Sequence, residues 1–280
     1  MKTILVLIAL AMASIFSFSE TAMAWDALIT NDTSLIKKND PSYLGSVTVN
    51  AQIMWRTASK YYNADAKAKD LPNDVSMFSI PLRGKYSVND FVQTFAIIQF
   101  LSVDDGVESN AGIGDLWLGA KWAVRPDGLF TIRGALDLPT GYDKNGLGER
   151  GGYGLDAGFM TGIHSTGSIN LNGQFGLRYN AESTDTNILP GICVYVDGKA
   201  SYRFNDKFNG NIGLEFMNWD DSKTNDIKDS NSQINWLEAS LGVGYKWNET
   251  IAIFLDATYD IFGKNTPLST GFIFGFNYGY

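Results

Sequence analysis

From Gly45 to the end of the chain, apolar and polar residues alternate with a period of two, broken only by polar connections. Between Gly45 and Arg56, Val47, Val49, Ala51, Ile53 and Trp55 share one face, and Ser46, Thr48, Asn50, Gln52 and Arg56 share the other. Phe78, Ile80, Leu82 and Tyr86 oppose Ser79, Arg83 and Lys85 in the same way. The pattern recurs around Leu116–Val124, Phe130–Leu138, Tyr153–His164, Ile169–Tyr179, Ile192–Phe204, Phe208–Phe216, Leu237–Trp247, Ile251–Ile261 and Phe272–Tyr280. Only Phe91–Ser102 is apolar on both faces, apart from Gln93, Thr94 and Gln99. Successive side chains of a strand point to opposite sides, so this period predicts strands. There are about twelve, each near the ~10 residues that cross a bilayer when tilted.

The connections predict a topology. Short links fall at Ser87–Asp90, Arg125–Gly128, Ser165–Gly167, Asn205–Lys207 and Asn248–Thr250. Between them lie longer ones at Thr57–Val75, Val103–Ala111, Pro139–Gly151, Asn180–Pro190, Asp220–Gln233 and Gly263–Ser269. Outer-membrane barrels join strands by short periplasmic turns and longer external loops, which is the alternation expected here. The apolar face of each strand then looks at lipid, and aromatic residues belong at the two interfaces. Tyr86, Trp122, Phe204, Phe208, Trp247 and Tyr280 fall on the periplasmic side, and Trp55, Phe78, Tyr153, Tyr179 and Tyr259 on the external side. The last strand, "GFIFGFNYGY", must pair with the first, because an open edge does not survive in lipid.

Composition narrows the reading further. The chain is 45% hydrophobic and 19% charged, unlike a disordered chain. A net charge of −8 with no basic stripe argues against nucleic acid as a partner. Lys2, the apolar run Ile4–Ala13 and Ala22-Met23-Ala24 together form a secretory signal over residues 1–24, with cleavage before Trp25. That run is too short to span a bilayer as a helix, and no later stretch is long enough. Residues 25–44 form an N-terminal periplasmic or lumenal segment, too short for an autotransporter passenger, and residues 45–280 the barrel. Cys193, the single cysteine, excludes an intramolecular disulfide, and neither it nor His164 sits in a nucleophile motif.

The candidate functional residues are the charges on the polar parity. Asp115, Asp137, Asp156, Asp197, Glu215, Glu238, Asp256 and Asp260 are acids; Arg56, Arg83, Lys85, Lys121, Arg133, Arg178, Lys199, Arg203 and Lys246 are bases. Charges inside a barrel must pair or meet water. The transport candidates among them are Asp115, Lys121, Arg133, Asp137, Asp156, Arg178, Asp197, Lys199, Glu215, Glu238 and Asp256. Antiparallel neighbours should let Asp115, Lys121, Arg133 and Asp137 pair across the ladder. A twelve-stranded barrel lies between the filled interior of about eight strands and the open pore of sixteen.

Three stretches resemble outer-membrane transporters of the phenol meta-degradation pathway. "ALITNDT" (27–33) resembles their mature N-terminus, with Asn31 where Asp is expected. "GIGDLWLGAKW" (112–122) resembles their Gly-x-Gly-Asp strand, with Gly112, Gly114, Asp115, Gly119 and Lys121 in place. "LDLPTG" (136–141) resembles their strand end at Pro139-Thr140-Gly141. The resemblance implies uptake of small hydrophobic or aromatic molecules. Other motifs fade on inspection. "GIGDLWLG" runs through a strand and so is no dinucleotide loop, and "GLGERGGYG" lacks the Lys-Ser/Thr of a phosphate loop. "DDSKTND" lacks the turn Gly and closing Glu of a calcium loop. A lipid-acting barrel enzyme needs a Ser–His pair at the lipid surface, whereas His164 falls at a turn and points inward.

The expectation is therefore an all-β, transmembrane, antiparallel up-and-down barrel in the outer membrane of a Gram-negative bacterium. It is not an enzyme, and no cofactor or metal is implied. Its function is that of a narrow channel for small, hydrophobic or aromatic, molecules; the alternative is a structural or surface-interaction barrel with a closed lumen. Its partners are outer-membrane lipid and lipopolysaccharide, the barrel-assembly machinery and a small-molecule solute.

Overall fold

The computed structural model describes residues 45–124, 130–141, 152–164, 168–183 and 187–279. Outside them lie the proposed signal and N-terminal segment with "ALITNDT", the turns Arg125–Gly128 and Ser165–Gly167, most of Pro139–Gly151 with the larger part of "GLGERGGYG", residues 184–186 of Asn180–Pro190, and Tyr280. The strands are β1 (Val47–Tyr62), β2 (Ala68–Ser87), β3 (Val92–Asp104), β4 (Ser109–Ile113), β5 (Leu116–Ala123), β6 (Phe130–Leu138), β7 (Gly154–His164) and β8 (Ile169–Asn180). They continue with β9 (Ile188–Leu189), β10 (Cys193–Arg203), β11 (Phe208–Trp219), β12 (Lys223–Thr224), β13 (Ile227–Lys228), β14 (Ile234–Lys246), β15 (Ile251–Lys264) and β16 (Thr266–Gly279).

Every pairing is antiparallel and between neighbours in the wall, and β1 pairs with both β2 and β16, which closes the sheet. With β4 and β5 counted as one interrupted pass, the described wall has twelve passes. Closure leaves no edge, so each backbone group of the wall finds its partner within the sheet, as a bilayer demands. The outward parity carries the apolar side chains. Ile53, Leu82, Leu136, Leu155, Leu177, Leu214, Leu241, Phe272 and Phe274 are all well exposed on the outside. So are the belt residues Tyr86, Trp122, Phe204, Phe208 and Trp247 at one end and Trp55, Tyr153, Tyr179 and Tyr259 toward the other, while Phe78 of the second belt is half-buried. A wall whose exposed face is this apolar is built for lipid, and the chain is an outer-membrane barrel.

The loops depart from expectation. Thr57–Val75 is mostly strand: β1 and β2 run on to a turn at residues 63–67, after a register shift between Ala58 and Lys60. Asn63 caps that turn, its Oδ1 accepting from the backbone N–H groups of Asp65 and Lys67. Val103–Ala111 likewise tightens to residues 105–108, where the Asp105 carboxylate accepts from the N–H groups of Val107 and Glu108. Gly263–Ser269 is no loop either; β15 and β16 are separated by Asn265 alone. Polar composition predicts loops there, but strand pairing continues through these stretches and carries the hairpins on past the alternating apolar segments. Asp220–Gln233 is a longer connection, and its hairpin β12–β13 pairs with β9 in a small second sheet.

The Gly-x-Gly-Asp stretch holds the other surprise. Phe100 pairs with Ile113 and Ile97 with Trp117, so three residues, Gly114 to Leu116, face two of β3. The bulge turns Asp115 inward, where its Oδ1 accepts from Gly141 N–H at 2.7 Å. Thr140 Oγ1 donates to the Gly114 carbonyl at 3.0 Å. The two motifs "GIGD" and "PTG" thus lock together at one corner of the barrel.

Candidate functional site: the barrel lumen

The inward parity is not uniformly polar. Toward the end where Ser87–Asp90, Asn205–Lys207 and Asn248–Thr250 turn, the lumen widens into a vestibule of about 1140 Å3. Asn50, Gln52, Asn170, Asn172, Asn209 and Asn211 supply amides to its wall, and Arg83, Lys85, Lys199 and Arg203 supply charge. Phe254 lies on its floor, against Met54 and Ile273. The ring has room because Gly275 beside it has no Cβ.

Deeper in, side chains meet across the barrel. Lys199 and Asn211 both reach Asp256, at 3.5 and 3.2 Å, and Gln174 donates to Asp197 at 3.2 Å. A small cavity of about 20 Å3 separates this layer from Glu215 and Glu238, room for one water. Arg56 Nη1 stands 2.5 Å from the Glu238 carboxylate, and both are almost fully buried. Asp260 accepts from the Ser269 N–H at 2.8 Å and from its hydroxyl at 2.5 Å, tying β15 to β16 where their ladder has ended at Tyr259–Thr270.

The other half of the lumen closes around Asp156. Arg133 Nη2 donates to its Oδ1 at 2.7 Å, and Arg178 Nε stands 3.6 Å from Oδ2. The Tyr195 hydroxyl donates to the same carboxylate at 3.1 Å and accepts from Arg133, which also donates to Gln174 at 3.2 Å. The Arg178 guanidinium lies 5.4 Å from the centroid of the Trp117 ring and 5.8 Å from that of Trp219. Arginine stacks well on indole faces, so two cation–π contacts hold it. Around this group pack Cys193, Met217, Ile234 and Trp236, with Phe95, Ile97 and Ala135 opposite. A Cβ at Gly176 would overlap the Tyr195 ring, and one at Gly119 the ring of Phe95, so large and small inward residues interlock.

All of the candidates face inward, with unequal surroundings. Arg133, Asp156 and Arg178 form one cluster, Lys199 and Asp256 a second pair, and Glu238 a third with Arg56. Asp197 joins through Gln174, and Glu215 lines the small cavity. Lys121 and Asp137 are buried, but the ladder sets Lys121 opposite Arg133 and Trp117 opposite Asp137. Across the ladder Lys121 faces Arg133, and Arg133 also pairs with Asp156 on β7. Asp115 anchors Gly141. His164 lies on β7 opposite Asn170. Reading only the charges of the inward parity misses its aromatics, Trp117, Tyr195, Trp219 and Trp236. The signal was present: each stands an even number of residues from an inward charge, as Tyr195 does from Asp197.

Known proteins share this architecture. An outer-membrane channel from Pseudomonas putida F1 superposes with a TM-score of 0.75 over 87% of this chain and 100% of that one, at 12% identity. The translocator domain of the autotransporter NalP from Neisseria meningitidis gives 0.55 over 93% of this chain and 98% of that one, at 12% identity. The porin NanC gives 0.52 over 82% and 98%, at 11% identity. A sequence search of curated proteins finds no match. Residues 80–276 match the model of the family described as "Putative MetA-pathway of phenol degradation". That span takes in the bulged Gly-x-Gly-Asp strand, its Thr140–Gly141 lock and most of the lumen-facing residues, and the chain belongs to this phenol-degradation MetA-pathway family.

Proposed function

We propose that the protein is a narrow outer-membrane channel for small hydrophobic or aromatic molecules. The observation that carries this reading is the inward ring of Trp117, Tyr195, Trp219, Trp236, Phe95 and Met217. These rings are buried against the Asp156 cluster, so parting of that cluster turns an apolar surface to the passage. An inward aromatic surface offers apolar contact to a small apolar solute. The Asp156 cluster closes the passage at this ring, and charged side chains that part in concert open it. The narrowness selects size, and the rings select chemistry. The chain is exported by residues 1–24, inserted by the barrel-assembly machinery with the Asp220–Gln233 side outward, and surrounded by lipid and lipopolysaccharide of a Gram-negative outer membrane. The eleven charged candidates divide in this reading: Arg133, Asp156 and Arg178 close the passage, Asp197, Lys199, Glu215, Glu238 and Asp256 line the approach, and Asp115, Lys121 and Asp137 hold the wall. The carboxylates of the outer loop serve its own fold, since Asp229 accepts from Thr224 at 2.6 Å and Asp221 pairs with Lys228 at 3.0 Å.

A second reading, a closed structural barrel, is favoured by one observation: Arg178 and Asp156 are almost completely buried, so the path is shut as it stands. Planar-bilayer recordings and uptake of phenol into proteoliposomes decide between the two. Brief openings and phenol entry above protein-free vesicles are expected. Neither current nor entry from correctly folded protein overturns the channel.

A further inference from the structure

The charges of the molecule are unevenly placed. The chain carries a net −8, and acids crowd the hairpin tips of one end, among them Asp65, Asp70, Asp74, Asp104, Asp105 and Glu108. The vestibule at the other end has the opposite sign. Its described lining holds six cationic side chains, Arg83, Lys85, Lys199, Arg203, Lys207 and Lys246, against the three carboxylates Asp206, Glu249 and Asp256. The pairs Lys246–Glu249 at 2.6 Å and Lys199–Asp256 at 3.5 Å each take up one charge of either sign, and the described lining keeps a cationic excess. A concave site with low-dielectric walls and one sign of charge concentrates ions of the other sign. Asparagines on β1, β8 and β11 add amide donors around the same space. The floor is the Phe254 ring, half-buried against Met54 and Ile273. A cationic and amide wall above one aromatic surface is a two-part recognition site.

We infer that the vestibule binds a small aromatic anion, its carboxylate held by Arg83, Lys85 and Arg203 and its ring set on Phe254. This deepens the channel reading, on which its place in a transport route rests, and it makes the permeant an aromatic acid rather than a neutral hydrocarbon. The site lies where a solute passing the aromatic ring next arrives, so the anion's charge is met only after the apolar constriction.

Binding is tested apart from transport, on purified full-length barrel in detergent, by titration calorimetry with three probes. Benzoate carries both ring and charge, acetate only charge, and benzyl alcohol only the ring. Benzoate should bind saturably and more weakly as salt rises. The double variant Lys85→Gln/Arg203→Gln should weaken it roughly tenfold, from two partly exposed charge contacts. Arg203→Lys should retain most of the affinity, and Phe254→Leu should bring benzoate down to the level of acetate. Heat-modifiability of each variant confirms that the barrel has formed; if the double variant does not form one, Arg203→Gln alone carries the test, with a smaller loss expected. Benzyl alcohol binding as well as benzoate, unaffected by the double variant, overturns the anion and leaves the channel reading standing. Acetate binding as well as benzoate overturns the aromatic half. Benzoate binding by a barrel that passes no current supports this site and removes the channel. No benzoate binding by folded wild type overturns the inference.

Discussion

Asp156→Asn is the change that most directly tests the closed part of the lumen. The substitution keeps size and removes one negative charge. That charge is shared by Arg133 at 2.7 Å and Arg178 at 3.6 Å, and it accepts the Tyr195 hydroxyl at 3.1 Å. Both guanidiniums are buried and on neighbouring strands, β6 and β8 flanking β7. Without the carboxylate, Arg133 and Arg178 keep their charge but lose the anionic acceptor that they share. Removing one partner of a buried ion pair costs about 3–5 kcal/mol, since the remaining charge is left without compensation. The wall does not depend on this carboxylate, because its ladder hydrogen bonds run through the backbone. The cost should therefore fall on the packed cluster, and the arginines should leave it for wetter space. If closed and open states share one wall, a penalty of about 3 kcal/mol on the closed state moves their ratio roughly a hundredfold toward open. Single-channel recording of the variant should show longer or more frequent openings. Circular dichroism should show an unchanged strand content. Restoring charge balance with Asp156→Asn/Arg178→Gln should bring the openings partly back. The result that refutes this reasoning is a variant as silent as wild type whose barrel unfolds at much lower temperature; the cluster would then be a structural plug.

Further expectations concern the wall. Epitope tags inserted in Asp220–Gln233 should be labelled on intact cells, and tags in Asn205–Lys207 only after the envelope is opened; the reverse pattern inverts the barrel. Phe276 and Tyr278 pair with Ala51 and Val49 of the first strand and face outward. Changing both to Ser should reduce heat-modifiable barrel in membranes, at roughly 1.5–3 kcal/mol of lost apolar burial per side chain; undiminished yield would count against their role in closure. Asp115→Ala removes the carboxylate that accepts from the half-buried Gly141 N–H and should lower the unfolding free energy by about 1–3 kcal/mol in urea titrations. Its benzoate binding should match wild type, and a loss of binding without a loss of stability would mean that Asp115 serves the solute rather than the bulge.

The sequence determined the wall. A membrane strand has lipid on one side and lumen on the other, so its side chains sort by parity, and parity is a local property that any strand displays alone. Alternation from Gly45 onward therefore specified the strands, their outward faces, the pairing of the last strand with the first and the inward position of every charged candidate. It misplaced Thr57–Val75 and Gly263–Ser269, because polar residues in a strand that rises beyond the bilayer look like those of a loop. Only the tertiary structure decided which inward residues meet. Arg133 and Tyr195 are 62 residues apart, and their contact depends on the stagger of every strand between them. A shift of one register position anywhere along that path would part them, and nothing local reports it. The same holds for the bulge at Gly114–Leu116: the motif is visible in the sequence, but its extra residue can be counted only against β3. Parity said that charges face the lumen. The closed circuit of strands, with its shear, put one carboxylate between two arginines at one level and gathered the cations around an open vestibule at another.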